Sequence, residues 1–585
     1  MDSSSASSST SKRSRTSGKH SRNGCGTCKI RRVKCDETRP ICRRCQNFKI
    51  PCDGYSRLPK TSTPGSTVSG GLLIAPKPVT PAIVPSSIPP SPSTLVVDNA
   101  EDYRYFTFFR DQLLFEITQF AQGDDFRRLI LQASNIPSIR HTMVALAALG
   151  KIHSVIQDTP SSSLPLSEPT ELISHREYSL RQYSKGLALM KKDVATGHQG
   201  IRTTLLTSLL IICIECLHGN FTMAGVQVAN GMALLRDWRR NYPDADLHPI
   251  GFSSPAPNVV EDSLVQMLGG LEIQSYYFNS NATQAEHEAG KEDGFNVIQN
   301  MPARFESVDE ARLYLELLTR RSKHWLFSLG WFFRPLIPVE GVAPVDTTLP
   351  PSARQPRQFL NLTPSMMHPA SVHRRETIPD SSKDLVKKHH DQYLRDFFRW
   401  KASFDALLQT PSSKSISPRW KENLLIYKGC VLILKTVITG DEMVFDDYTE
   451  EMVEILDLAE DVYESDKDHR NDTTFTIFQR CTGPPHFVGL HCRVGAVRRR
   501  AIQLLESLPK TPDLSDTMLR SAIVKWVMGL EEAEMVDGKI PGYARIRNVG
   551  ISVDVDNRQS TLVCKHQVMR EEGLVETERK KTINC

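Results

Sequence analysis

Residues 25–52 read CGTCKIRRVKCDETRPICRRCQNFKIPC, and the cysteine spacing in this stretch decides how the rest of the chain is read. Cys25, Cys28, Cys35, Cys42, Cys45 and Cys52 follow the pattern C-x2-C-x6-C-x6-C-x2-C-x6-C. These are two similar halves, each a close pair followed by a third cysteine. A C-x2-C pair brings two thiolates to one tetrahedral Zn²⁺ around a tight turn. Six ligands cannot fill two separate four-coordinate sites, but they can do so if two sulfurs bridge two ions. By the internal symmetry, the bridging pair is the first cysteine of each half, Cys25 and Cys42.

The charges agree with this reading. Lys29, Arg31, Arg32, Lys34, Arg39, Arg43, Arg44 and Lys49 stand against Asp36 and Glu37, a side-chain balance of +6. Six thiolates on two Zn²⁺ would leave the loaded module about +4. So short a cationic segment has no room for an apolar core and must be folded by its metal. A disulfide framework would need an oxidising compartment. The Ser-rich, basic first 24 residues contain no apolar segment of the secretory kind, so the expected setting is a reducing one inside the cell. A metal-buffering peptide would need neither the regular spacing nor the basic run between Cys28 and Cys35.

With all six cysteines matching in spacing, the segment resembles the fungal binuclear zinc cluster transcription factors. The resemblance implies two zinc ions and a short helix between the second and third cysteines that enters the DNA major groove, typically at a CGG-type triplet. Carried over, that helix is Lys29–Lys34, with Arg31 and Arg32 at base-reading positions and Lys34 at a phosphate-contacting one. Lys29 joins them as a DNA-binding residue through a phosphate contact. The family often has Lys at the main base-reading position. Arg32 can make a bidentate pair with guanine O6 and N7 there. Pro40 also matches, where the family turns the chain so that the halves share their metals.

Working outward, residues 1–24 form a basic Ser-rich arm expected to be disordered. In it Lys12, Arg13, Arg15, Lys19 and Arg22 suit nuclear import, phosphate contacts, or both. Residues 1–60 carry a net charge of +11 and the remainder −6, within a total of +5. A basic head on a mildly acidic body suggests a nucleic-acid-binding end joined to something else. Residues 53–100 read as a flexible linker; Pro, Ser, Thr and Gly make up 24 of the 40 residues from 59 to 98, nine of them proline. Those prolines forbid the continuous coiled coil that many relatives carry here. The expected alternatives are binding to a single triplet or a homodimer formed through the later helical body.

From residue 101 to 540 the pattern is helical, with loops near 158–169 and 336–383. Tyr103, Tyr105, Phe106, Phe108 and Phe109 form an aromatic segment that needs a core. Ile139, Met143, Leu146 and Gly150 follow Pro137 at helical spacing, as do Leu180, Tyr183, Leu187 and Met190. Residues 203–217 are apolar on nearly all sides and read as central. Further helices are expected near 222–238, 262–279, 308–334, 384–408, 421–438, 449–464, 487–508 and 514–535. In the C-terminal segment, 541–585, Val549, Ile551, Val553 and Val555 alternate with Gly550, Ser552 and Asp554, and Thr561–Cys564 follow; this predicts a β-hairpin. FRRLILQASNIPSIRHTMVALAALG (126–150) and TTLLTSLLIICIECLHGN (203–220) also resemble the helical regulatory region that follows the cluster in many fungal factors. The fold class is thus a small metal-folded binuclear zinc cluster, a disordered linker, and a large mainly all-α domain ending in a short β-hairpin.

Other constellations weaken on inspection. Cys213 and Cys216 lie in the apolar helix and read as core. Cys481, His486, His491 and Cys492 contain two adjacent ligands, awkward for one tetrahedral site. His389-His390, among lysines, reads as solvated. The twelve acidic residues of 441–466 interleave with Met452, Ile455, Leu456, Ala459 and Val462. They could recruit transcription machinery, although an ordinary helix with a solvated face is favoured. The longest uncharged apolar run, Thr203 to Ile214, is 12 residues, against roughly 18–20 for a spanning helix, so no membrane is expected. No metalloprotease, nucleophile-elbow, phosphate-loop or dinucleotide motif is present, so the chain does not read as an enzyme.

The function expected is sequence-specific, zinc-dependent DNA binding that regulates RNA polymerase II genes in the nucleus. The implied partners are double-stranded DNA and transcription machinery or co-regulators, with room in the body for an unidentified effector. The competing reading is a zinc-containing scaffold for RNA or proteins. Residues 25–52 hold one aromatic, Phe48, where RNA modules interleave several.

Overall fold

The apolar run at the centre of the sequence becomes a buried helix, Ile201–Leu217. Its leucines and isoleucines turn inward on every side, as does Cys213, whose thiol donates to the Leu209 carbonyl at 3.2 Å. The computed structural model describes residues 25–52 except 26, 29–32, 40, 49 and 51. It also describes residues 98–584 except 119–123, 159–169, 198, 219, 276–282, 330–379, 410–418, 438–440, 466–481, 509–516, 547–548 and 555–558. The N-terminal arm, most of the linker, and nearly all of both expected loops lie outside the described residues. The chain divides into two compact units, Met1–Leu73 and Ile74–Cys585, each described here by itself.

In the first unit Arg43–Asn47 form a short helix, α1, and Thr27 and Cys28 are helical as well. The second unit is mainly helical. It opens with α2 (Ala100–Phe108), a π-helical turn (Phe109–Leu113) and α3 (Leu114–Thr118). Next come α4 (Asp124–Ala133), α5 (Pro137–Asp158), α6 (Thr170–Thr196), α7 (Ile201–Leu217) and α8 (Phe221–Arg239). Then follow α9 (Asp262–Ser275), α10 (Gln284–Glu292), α11 (Phe295–Gln299) and α12 (Val308–Ser328). The remaining helices are α13 (Asp380–Leu408), α14 (Trp420–Val437), α15 (Thr449–Ser465), α16 (Gly483–His491), α17 (Gly495–Glu506) and α18 (Thr517–Glu532). Among the described residues no helix is long and apolar enough to cross a membrane.

Among the described residues, three apolar cores hold this unit together. The first joins residues between Tyr105 and Leu271 to Leu490, Ile523, Val527, Val549, Leu562 and Cys564 from far along the chain. The second is aromatic: Trp400 stacks between Phe404 and Tyr427, with centroids 4.7 and 5.4 Å away. The third lies under α15. Helix α14 feeds the second and third at once, through Val431 and Leu434 on one face and Leu425 and Leu432 on the other.

The expected hairpin is present and has a third strand. β1 (Gly550–Asp554), β2 (Gln559–Arg570) and β3 (Gly573–Asn584) form an antiparallel sheet in that order. Val563 pairs with Gly550 on one side and Lys580 on the other.

Four local readings are corrected. Of the expected face of α6, Met190 is buried and Tyr183 and Leu187 are half-buried, but Leu180 is half exposed, and the other inward residues are Leu172, Tyr178, Ser179, Gln182 and Gly186. This seam is polar and small because α5 and α6 approach closely. Ser179 donates to the Ala145 carbonyl at 2.8 Å, and a Cβ on Gly186 would meet the Thr142 hydroxyl at 2.7 Å. Second, the helix expected over 487–508 breaks at Cys492–Val494, where Cys492 turns extended and Arg493 enters a buried ion network. Third, Tyr103 of the aromatic segment stays exposed. Fourth, His390 is not solvated, since its Nε2 lies 2.9 Å from the Leu434 carbonyl. Helix α10 was missed, although its start carries a capping box, Thr283 with Glu286.

The acidic face of α15 is largely answered from within the unit. Lys421, Lys428 and Lys435, one heptad apart on α14, reach Asp461, Glu454 and Glu451 at 2.9, 2.6 and 3.5 Å. Arg500 of α17 bridges Asp457 and Glu460. Each such surface pair contributes only about 0–1 kcal/mol. Together they make α15 a helix with a paired charged face.

Where α9 passes Gly251, two backbones nearly touch. A Cβ on Gly269 would stand 2.3 Å from the Cα of Gly251, which is itself left-handed at φ +78°. Backbone cannot rotate away as a side chain does, so Gly269→Ala should cost at least about 1–3 kcal/mol. Gly529→Ala, with nothing within 4 Å of its Cβ, should be neutral or mildly stabilising. Urea unfolding of both variants checks this, and equal midpoints would refute the backbone crossing.

Candidate functional site

The candidate site is built almost wholly from cysteine. Cys25, Cys28, Cys35, Cys42 and Cys45 are buried, with Val33, Ile50 and Cys52 half-buried around them. The two halves repeat their backbone as well as their spacing. The Cys28 carbonyl accepts from Val33 N–H and the Cys45 carbonyl from Ile50 N–H, both at 3.1 Å.

The sulfurs converge. Cys25 lies 3.6 Å from Cys42 and 3.8 Å from Cys45, and Cys28 lies 3.7 and 3.9 Å from the same pair. Four sulfurs bound at about 2.3 Å around a tetrahedral Zn²⁺ stand about 3.8 Å apart. The Cys25–Cys42, Cys25–Cys45 and Cys28–Cys42 contacts therefore have the spacing of ligands on a common ion, and all of these cysteines are free rather than disulfide-bonded. Two four-sulfur groups form, Cys25–Cys28–Cys35–Cys42 and Cys25–Cys42–Cys45–Cys52. Cys25 and Cys42 belong to both.

The donor set fits zinc. Burial pushes the thiols of Cys25, Cys28 and Cys45 up, in the last case to about 12; a divalent cation reverses that preference and holds thiolates. Backbone N–H groups already point at the sulfurs: Cys25 and Glu37 donate to Cys35 Sγ at 3.4 Å, and Cys45 donates to Cys42 Sγ at 3.3 Å. Such donors orient metal ligands and stabilise their charge.

Asp36 ties the halves together, a role the sequence reading missed. Its carboxylate accepts from the N–H groups of Arg43 and Arg44 at 3.1 and 3.2 Å, capping α1 from across the loop. The Thr38 hydroxyl and, more weakly, those two amides hold the Asp36 carboxyl down at about 2.

Among the expected DNA-contacting residues, Lys34 is exposed and, like Val33, lies beyond the helical residues Thr27 and Cys28. Lys29, Arg31 and Arg32, as well as Pro40 and Lys49, lie outside the described residues. The weaker metal candidates dissolve: His486, His491 and Cys492 are buried apart in core packing, with His491 Nδ1 3.2 Å from Glu442, and Cys481 is outside the described residues.

Residues 23–62 match the fungal Zn(2)-Cys(6) binuclear cluster domain. This segment belongs to that domain family. The match and the converging cysteines together imply zinc binding. Similarity continues into the second unit. The chain is 31% identical over 227 residues to an aspercryptin biosynthesis cluster-specific transcription regulator of Emericella nidulans, covering 37% of this chain and 34% of that protein. It is 26% identical over 218 residues to a transcription regulator of Purpureocillium lilacinum, 36% of this chain and 48% of that one. A sterol uptake control protein of Candida albicans is 62% identical over 39 residues, 7% of this chain and 5% of that protein. The chain thus spans about a third to a half of the first two relatives. Since 227 aligned residues far exceed the 40 of the cluster domain, the first similarity necessarily includes residues outside it. No solved structure matches the chain.

Proposed function

We propose that this protein is a zinc-dependent transcription regulator that binds double-stranded DNA through the Zn(2)-Cys(6) cluster and acts in the nucleus on RNA polymerase II genes. The observation that carries the reading is the pair of four-sulfur groups sharing Cys25 and Cys42 within a strongly basic segment. In this reading all six cysteines, Cys25, Cys28, Cys35, Cys42, Cys45 and Cys52, hold two zinc ions. The named roles of the relatives as transcription regulators support it.

The division of labour follows from charge. Lys29 and Lys34 contact phosphates, which supply most of the affinity and a steep salt dependence. Arg31 and Arg32 read base edges, with a CGG-type triplet as target, because a guanidinium meets guanine O6 and N7 in two bonds. Residues 53–100 give reach, and the helical body regulates, through co-regulators, an effector, or a second copy of the chain.

Selection from a randomised DNA pool with the zinc-loaded full chain tests this. A CGG-like triplet should be enriched. Arg32→Ala should collapse that preference, by about 1–3 kcal/mol of discrimination, while zinc content stays unchanged. No enriched sequence, or a preference indifferent to Arg32, would overturn the reading and favour the RNA or protein scaffold.

A further inference from the structure

A second group of metal-ligating side chains lies in the helical unit, away from the cysteines. Asp98, Asp102 and His141 bring one ligand atom each within 4.8 Å of one another. Asp98 and Asp102 flank Asn99, the N-cap of α2, and His141 comes from α5. His141 is 7% exposed and Asp102 3%.

The surroundings fix how these groups point. Gln182 of α6 donates its amide N–H to Asp102 Oδ1 at 2.5 Å, so its carbonyl must accept from His141 Nδ1, at 2.6 Å. The Tyr178 hydroxyl donates to the same Asp102 oxygen at 2.5 Å, and Asn99 Nδ2 donates weakly to the other at 3.3 Å. With Nδ1 used, the imidazole turns Nε2 toward Asp98, whose Oδ2 lies 3.7 Å away. That separation is an ion-pair distance, longer than a hydrogen bond. A buried imidazole thus sets Nε2 beside the Asp98 carboxylate, with its other nitrogen locked by the Gln182 amide, and with the Asp102 carboxylate in the same cluster. Ligand histidines are commonly held in this way.

We propose that Asp98, Asp102 and His141 bind one divalent transition-metal cation of the zinc class. Two carboxylate oxygens and one imidazole nitrogen balance its charge, and water completes the shell. Ligand atoms on such an ion stand about 3–3.5 Å apart, so closure requires a modest inward turn, which the exposed Asp98 side chain can supply. The ion would fasten the start of α2 to the polar seam between α5 and α6. The proposal is independent of the cysteine cluster and of DNA reading.

The test is metal content of the zinc-loaded full chain after gel filtration, by mass spectrometry of the metals. Wild type should hold one zinc more per chain than Asp98→Asn or His141→Ala, with DNA binding by the cluster unchanged. Gln182→Leu, which frees the imidazole, should weaken that extra site about 10–100-fold. Cobalt substitution should add a visible band lacking thiolate charge transfer, lost in the same variants. If wild type and Asp98→Asn hold equal metal, the group shares only a proton and the proposal fails. The exposed Asp98 keeps this comparison valid even where His141→Ala does not fold.

Discussion

Serine at Cys25 is expected to strip the cluster of both its metal ions, whereas serine at Cys35 or Cys52 should remove one. The asymmetry follows from membership: Cys25 and Cys42 stand in both four-sulfur groups, and every other cysteine stands in one. The consequence for folding is large because the first unit has little else to hold it. Among the described residues around the cysteines only Val33 and Ile50 are packed, and the binding energy of a structural zinc, about 10–16 kcal/mol in small modules, is folding energy. Specific DNA affinity should fall by about 10³-fold or more, to the nonspecific level. Metal per chain and fluorescence anisotropy with a labelled site measure both effects. If Cys25→Ser and Cys52→Ser lost the same single ion, the sulfurs would not be shared.

Glu531→Gln should destabilise the helical unit by about 3–5 kcal/mol. Glu531 is fully buried at the end of α18. Its two oxygens accept from Arg493 at 2.9 Å, Arg498 at 2.6 Å and the Ile546 N–H at 2.7 Å. Arg493 also reaches Glu442, and Arg545 clasps Asp446 with both amino groups, at 2.9 and 2.7 Å. The amide would leave two guanidinium groups facing a neutral side chain in the interior. Burial pushes the Glu531 carboxyl up, but the charges of Arg493 and Arg498 outweigh it and hold it below its usual 4.5. A carboxyl depressed in the folded state stabilises fully above its unfolded value, and that stability drains away as pH falls below it. The wild-type chain should therefore lose stability more steeply than Glu531→Gln as pH falls below about 4.5. Chemical denaturation across that range measures it; parallel curves, or a loss below about 1 kcal/mol, would show that the network does not carry the junction.

The six cysteines were legible because metal coordination fixes ligand spacing in the sequence itself. The long helices were legible because burying one face leaves a 3.6-residue rhythm. Where burial is achieved by other means, the rhythm misleads. Helix α6 turns Ser179, Gln182 and Gly186 inward as well as Met190, so hydrophobicity alone misses much of its buried face and misplaces Leu180. Cys492–Val494 sits between apolar runs, and the break there serves Arg493, whose partners come from residues 442 and 531. Strand β3, GLVETERKKTIN, is too charged to read as a strand, as befits the edge of a sheet. Asp36 carries no motif at all; only the folded loop shows it capping α1.

The first core of the helical unit has a consequence for how the chain is made. Its earliest aromatic, Tyr105, shares that core with Val549, Leu562 and Cys564. On a ribosome adding about 5–20 residues per second, roughly 25–90 s separate their emergence. Through that interval the opening helices present an unfinished apolar surface, a natural client for chaperones. A stop codon shortly before Cys564 would spare the cysteine cluster and the other two cores, yet leave the first core open to solvent and the nascent chain exposed to degradation.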